Sequence, residues 1–180
     1  DRGGAVGEVT TSHPRVILVS DLVGSTRLNV QTGDERWASH IARHDRVARE
    51  CLRRHNGVEF KHTGDGMCAW FDTAPEAIDC ARAISDELTR SNLENPDVPL
   101  VSRFGLAMGQ PIVRDGDFFG LAVVMAARLC AEAAPSSLLA TAEVARVGQS
   151  ASIPLVAAGE RRLKGFPDPV PVYEATLTGA

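Results

Sequence analysis

The patterned part of the chain opens with VILVS (Val16 to Ser20), an unbroken apolar run rich in β-branched residues that predicts a short buried strand. The small residues of DLVGST follow it and predict a turn. From about Asp34 to His55, apolar residues return at helical spacing (Trp37, Ile41, Ala48, Leu52), and Gly57 is expected to close that helix. Gly57 to Phe71 reads as two strands about the turn in HTGDG, with Asp-Gly expected to supply the positive φ angles. Thr73-Ala-Pro-Glu76 is a capping box, and the helix it opens carries Ile78, Ala81, Ile84 and Leu88 on one face. VPLVSRFGLAMG predicts a strand, Arg114 to Asp117 a second hairpin turn, and about Phe119 to Ala133 an apolar helix. SLLAT reads as a strand, Glu143 to Val147 as a short helix, and two last strands surround RRLKG and end in VPVYEAT. This order predicts an α+β fold: a ferredoxin-like split βαββαβ core, with a mostly antiparallel sheet and helices on one face, plus a C-terminal βαβ and hairpin extension.

Composition narrows the classes without deciding among them. At 180 residues the chain fits one domain with a sizeable core. A net charge of −4 and the lack of any long basic run give no general attraction to nucleic acid or to an anionic membrane surface. No apolar segment approaches spanning length. Cys51, Cys68, Cys80 and Cys130 share no CxxC spacing and read as reduced core thiols of a cytoplasmic protein. Residues 1–15 are rich in Gly and Thr without periodicity and read as a linker or expression remnant. Residues 16–180 are then the domain, and the chain reads as a possible piece of a longer protein.

Two aspartates stand at the turns. Asp21 ends the first strand and Asp65 lies in the first hairpin turn, and a split βαβ fold makes their strands neighbours. Either is an ordinary turn residue when taken singly. Brought together without basic partners they would repel unless a hard cation lay between them. The loop from Val23 to Thr26 adds small residues whose N–H groups suit a phosphate ahead of a helix.

VSDLVGST, EFKHTGDG, the segment from Gly116 to Leu129 and RRLKG together resemble the catalytic core of the class III nucleotidyl cyclases, most closely the actinobacterial adenylyl cyclases. The resemblance runs from about Val16 to Glu174 and implies a homodimer with two sites, each built from both protomers. Asp21 and Asp65 match the two aspartates that hold two Mg²⁺ or Mn²⁺ ions, and Leu22 matches a carbonyl ligand of the metal. Val23, Gly24, Ser25 and Thr26 match the loop over the triphosphate. Lys61 and Asp117 match the pair, from the other protomer, that reads the base. Arg128 matches the arginine on the reacting α-phosphate, Lys164 a triphosphate-binding lysine, and Arg103 a phosphate-contacting arginine. The implied partner is ATP, with a regulatory domain expected upstream.

The residue types agree with that chemistry. Adenine offers an acceptor at N1 and a donor at its amino group, which a lysine and a carboxylate complement; guanine reverses both roles, so Lys61 with Asp117 favours ATP over GTP. Arg128 is the one charge between Phe118 and Ala131, which suits a residue that meets a phosphate. Val124 departs from the family pattern: it stands where an asparagine usually orients the ribose, and it offers no hydrogen bond. A slow cyclase, or a nucleotide-binding and dimerising module of the same fold, is the alternative this valine raises, with a guanylyl cyclase behind it. His40 and His44 have the i, i+4 spacing of a zinc pair but lack a third ligand, and read as partly exposed helix residues. Trp37 and Trp70 read as core or interface residues.

Overall fold

The computed structural model describes residues 10–11, 13–114 and 117–177. Its main element is a seven-stranded sheet with strand order β3-β4-β2-β5-β8-β10-β9. The strands are β2 (Arg15–Leu22), β3 (Val58–His62), β4 (Gly66–Phe71), β5 (Ser102–Gly109), β8 (Ser137–Thr141), β9 (Val156–Arg161) and β10 (Val170–Thr176). Only β5 and β8 pair in parallel; the other neighbours are antiparallel. The sheet is therefore the mostly antiparallel split-βαβ arrangement that the pattern predicts. Three short strands, β1 (Thr10–Thr11), β6 (Ile112–Arg114) and β7 (Asp117–Phe119), form a separate small sheet. Two residues of the expected 1–15 linker thus pair with Val113 and Ile112, and Arg15 begins β2. Residues 1–9 and 12 of that linker lie outside the described residues, as do Asp115 and Gly116 of the second hairpin turn.

The helices are α1 (Ser25–Thr32), α2 (Asp34–Arg54), α3 (Ala74–Glu94), α4 (Leu121–Glu132) and α5 (Ala142–Val147). They do not all lie on one face. Val16, Leu18 and Leu22 of β2 pack with α2, α3 and α5, whereas Ile17 and Val19 pack with Ala126 and Cys130 of α4. An unbroken apolar strand is buried from both sides, and alternation could not reveal the second layer because both sets of positions are hydrophobic. The fourth helix reaches the sheet through small residues. A Cβ on Gly105 would lie 2.0 Å from the Ala126 carbonyl oxygen, so only glycine lets α4 approach β5 this closely.

Three local expectations change. Ser25–Thr32 forms a helix of its own, which a polar sequence with one buried residue, Leu28, did not signal. In the first hairpin turn Gly64 carries the positive φ, 93°, while Gly66 is already in β4. Gly66 is needed for a different reason: a Cβ there would sit 1.9 Å from the Ser20 carbonyl oxygen. The close pairing of β4 with β2 beside Asp21 depends on it. The second helix likewise closes with Asn56, φ 58°, in the left-handed region, ahead of Gly57.

Candidate active site

Sheet register brings the two aspartates together. Asp21 is the partner of Gly66 across β2 and β4, so Asp65 is one residue from facing it. The backbone ties the turn to the strand: Leu22 N–H donates to the Asp65 carbonyl at 3.0 Å. The Ser25 hydroxyl, in the first turn of α1, donates to Asp65 Oδ2 at 2.5 Å. Asp65 therefore sits by a helix N-terminus, where the free N–H groups favour an anion. Asp65 and Ser25, with Thr26, Asn29, Trp37, Thr63 and Gly64, line a cleft of about 360 Å³.

Asp21 has a basic partner, contrary to the expectation of an unaccompanied carboxylate pair. Arg103, its register partner on β5, donates from Nε at 3.0 Å and from Nη2 at 2.7 Å to Asp21 Oδ2. The remaining nitrogen, Nη1, donates to the Ala131 carbonyl at 2.8 Å. Arg103 thus binds a carboxylate of the candidate metal site itself. Val23 contributes less than its place in the loop suggests, since its N–H is taken by the Val101 carbonyl at 2.8 Å. Gly24 caps α1 with φ 69°.

Lys61 and Asp117 meet: Lys61 Nζ lies 3.5 Å from Asp117 Oδ2. A β-bulge is responsible. Glu59 pairs with Ala69 but Lys61 pairs with Cys68, so Phe60 is the extra residue. Ala69 belongs to the α2/α3 side of the sheet and Cys68 to the α4 side, so the bulge moves Lys61 to the α4 side. Phe60 packs against Phe118 with ring centroids 4.9 Å apart, and Trp70 stacks on Phe118 at 5.9 Å, which fixes β7 beside β3. Arg128 and Lys164 also meet, Arg128 Nε donating to the Lys164 carbonyl at 3.1 Å. Val124 lies on the outer face of α4, 42% exposed, one turn before Arg128.

The four cysteines are all free and buried. Burial pushes the Cys130 thiol up to about 12, with Asp21 nearby adding to the effect, and pushes Cys68 up to about 11. Neither is disposed to act as a nucleophile. His44 is fully buried, not partly exposed, with Nδ1 3.1 Å from Asp45 Oδ1. Among the described residues no group of three His, Cys, Asp or Glu side chains is placed to hold a metal ion. A larger cleft of about 510 Å³ beside α5 and β10 contains none of the residues above, and Arg146 is its one charged lining residue. It offers neither paired carboxylates nor a base-reading pair.

No family model matches the chain. A Rhizobium meliloti protein provisionally named adenylate cyclase 3 is 31% identical over 159 residues, covering 87% of this chain and 27% of that protein. Among solved structures, the adenylate/guanylate cyclase/hydrolase from Silicibacter pomeroyi is 28% identical with a TM-score of 0.77, covering 90% of this chain and 95% of that one. The adenylyl cyclase CyaB from P. aeruginosa shares the fold at TM-score 0.82 and 21% identity, covering 93% and 95%. The chain belongs to the class III nucleotidyl cyclase catalytic domains. The chain spans less than half the length of the curated relatives it matches. None of its described helices is long and apolar enough to cross a membrane.

The cleft also has lining residues outside the motifs of the sequence. Asn29 of α1, Trp37 of α2 and Thr63 of the hairpin turn line the cleft, and the Ser25–Asp65 hydrogen bond holds α1 against the turn. Only Thr63 lay inside a quoted motif, so nothing in the sequence singled out the other two as site residues.

Proposed function

We propose that this domain is an adenylyl cyclase, forming 3′,5′-cyclic AMP and pyrophosphate from ATP at the interface of a homodimer. The observation that carries the reading is the Lys61–Asp117 pair, one donor and one acceptor held 3.5 Å apart on the α4 side of the sheet. That pair complements the adenine edge and mismatches guanine, and leaving buried polar groups unpaired by the wrong base discriminates strongly. The ribose 3′-hydroxyl attacks the α-phosphorus, the bond from that phosphorus to the bridging oxygen breaks, and pyrophosphate departs with its electrons while the hydroxyl proton is released.

The donor set suits a hard cation: two carboxylates, Asp21 and Asp65, and the main chain at Leu22 supply oxygens only. Two Mg²⁺ or Mn²⁺ ions bound there supply an acidified hydroxyl and a counter-charge for the phosphates. Ser25 holds Asp65, and Gly24 to Thr26 present the first N–H groups of α1 to the triphosphate. Arg128 and Lys164 supply the cationic side that meets the phosphates from the other protomer. Arg103, already on Asp21, balances the charge of the carboxylates. The outer face of α4 supports the dimer: Leu121 is 77% exposed and Val124 42%. Phe119 and Ile112 are also exposed nearby on β7 and β6. An apolar face of this kind is characteristic of a surface covered by a partner. A regulatory segment outside the catalytic region belongs to the same proposal.

The test is direct. The purified chain with Mn²⁺ and either ATP or GTP is expected to form cyclic AMP in clear excess over cyclic GMP. Exchanging the hydrogen-bond roles with Lys61→Glu and Asp117→Ser is expected to lower ATP use and raise relative GTP use, read as the ratio of kcat/KM values. An unchanged ratio would mean that these residues do not select the base.

A second reading, a nucleotide-binding module with weak turnover, is favoured by one observation. Val124 puts an apolar side chain on the helix face where a polar ribose contact is expected. Val124→Asn is then expected to raise kcat for ATP by up to about 10²-fold, taking the cost of a missing positioned donor as the upper guide, with a smaller change in KM. Reduced turnover in a well-folded variant would show a site rebuilt around valine.

A further inference from the structure

The turn that carries Asp65 has a third tether, which the proposed reaction does not use. His62, the last residue of β3, bridges that turn to α2. Its Nδ1 accepts a hydrogen bond from Gly64 N–H at 3.1 Å, and its Nε2 lies 2.9 Å from Asp45 Oδ2. Accepting at Nδ1 requires a lone pair there, so the ring proton sits on Nε2 and is donated to Asp45. Asp45 Oδ1 is 3.1 Å from Nδ1 of the buried His44. A continuous line of hydrogen bonds therefore runs from the interior, His44 to Asp45 to His62, and ends on the amide next to Asp65.

Each link is placed to be stiff. The second helix is locked into the core by Ala48, Cys51 and Leu52, and the Asp45 side chain is only 14% exposed. Burial works against its ionised form, yet the hydrogen bonds from His44 and His62 outweigh burial and hold its carboxyl below the ordinary value. At the far end the turn is closed by one backbone hydrogen bond, Thr63 N–H to the Gly66 carbonyl at 2.9 Å, and within it Gly64, with φ 93° and no side chain, is the softest residue. The Leu22 N–H and the Ser25 hydroxyl hold Asp65 from β2 and α1, and neither restrains Gly64.

We propose that His62, held by Asp45, is a positioning residue that sets the hairpin turn presenting Asp65 to the divalent cation, acting through Gly64 without touching metal or nucleotide. This rests on the reading of Asp65 as a metal ligand. Partners that orient a ligand in this way typically change metal affinity or activity by about 10–100-fold when removed.

The test compares the unaltered chain with His62→Ala, His62→Asn and Asp65→Ala. Asparagine at 62 can accept from the N–H two residues on, in an Asx turn, but is too short to reach Asp45. Mn²⁺ is titrated into each protein with the free ion read by electron paramagnetic resonance, and Gly64 amide exchange is followed by NMR. His62→Ala is expected to weaken Mn²⁺ binding about 10-fold and to speed Gly64 exchange. His62→Asn is expected to recover Gly64 protection and part of the Mn²⁺ affinity. The expected kinetic counterpart is a fall in kcat with little change in KM for ATP. Mn²⁺ binding in His62→Ala equal to that of the unaltered chain overturns the proposal, as does His62→Asn binding no better than His62→Ala. Equal binding by the unaltered chain and Asp65→Ala would overturn the metal-site reading instead, and this proposal with it.

Discussion

Asp65→Ala is expected to abolish cyclic AMP formation, by about 10³-fold or more if the lost carboxylate matters as much as a positioned charge-stabilising group. Its melting temperature should stay within about 4 °C of the unaltered chain. The asymmetry follows from where the side chain sits. Asp65 is half-buried at a turn, outside the core clusters, and among the described residues its one side-chain hydrogen-bond partner is the Ser25 hydroxyl. Once the carboxylate is gone, that hydroxyl can turn to water, so little stability is lost. The metal-binding donor set, by contrast, loses half its carboxylates.

Asp21→Ala should be equally inactive for a more complicated reason. Its removal frees Arg103 Nε and Nη2, leaving the guanidinium with the Ala131 carbonyl alone. The pair is about 30% exposed on both sides, so the lost ion pair is worth at most about 1 kcal/mol in stability. Retention of more than a tenth of the activity in either variant, with melting unchanged, would remove the metal-site assignment.

How far these residues were legible beforehand depended on the range of the interaction that places them. The Asp21 and Asp65 positions follow from local signals, a strand ending in an acid and a hairpin turn containing one, and the fold class then puts the two strands side by side. Arg103 is different. Its grip on Asp21 joins residues 82 apart and exists only because β2 and β5 pair in the register that sets Asp21 opposite Arg103. No local pattern encodes that register. Lys61 shows the same limit at shorter range: strict alternation would place it on the other side of the sheet, and a one-residue bulge at Phe60 decides otherwise. The fourth helix was readable as apolar but not as one-sided. Its small residues Ala126 and Cys130 meet the sheet at Gly105, while Leu121 and Val124 face outward. Hydrophobicity alone does not distinguish a face covered by its own sheet from one left for a partner.

That outward face leads to the second large effect. An Asp65→Ala protein mixed with an Arg128→Ala protein is expected to recover activity that neither has alone. In one chain, the Asp21–Asp65–Ser25 group is held by β2, β4 and α1, while Arg128 is tied to Lys164 at the turn after β9. If a two-fold dimer joins the first group of one protomer to the second group of the other, each homodimer of a single variant carries the same lesion in both sites. The mixed dimer concentrates both lesions in one site and leaves the other intact. With random exchange of protomers, half the dimers are mixed and each has one good site, so recovery to about a quarter of the unaltered activity is expected. Protomers must exchange for this to appear, so the mixture should be equilibrated below the dimer dissociation constant and then concentrated. Two affinity tags should show that mixed dimers form. Mixed dimers that remain inactive would place Asp65 and Arg128 in the same site of a single chain, and the exposed face of α4 would then need another explanation.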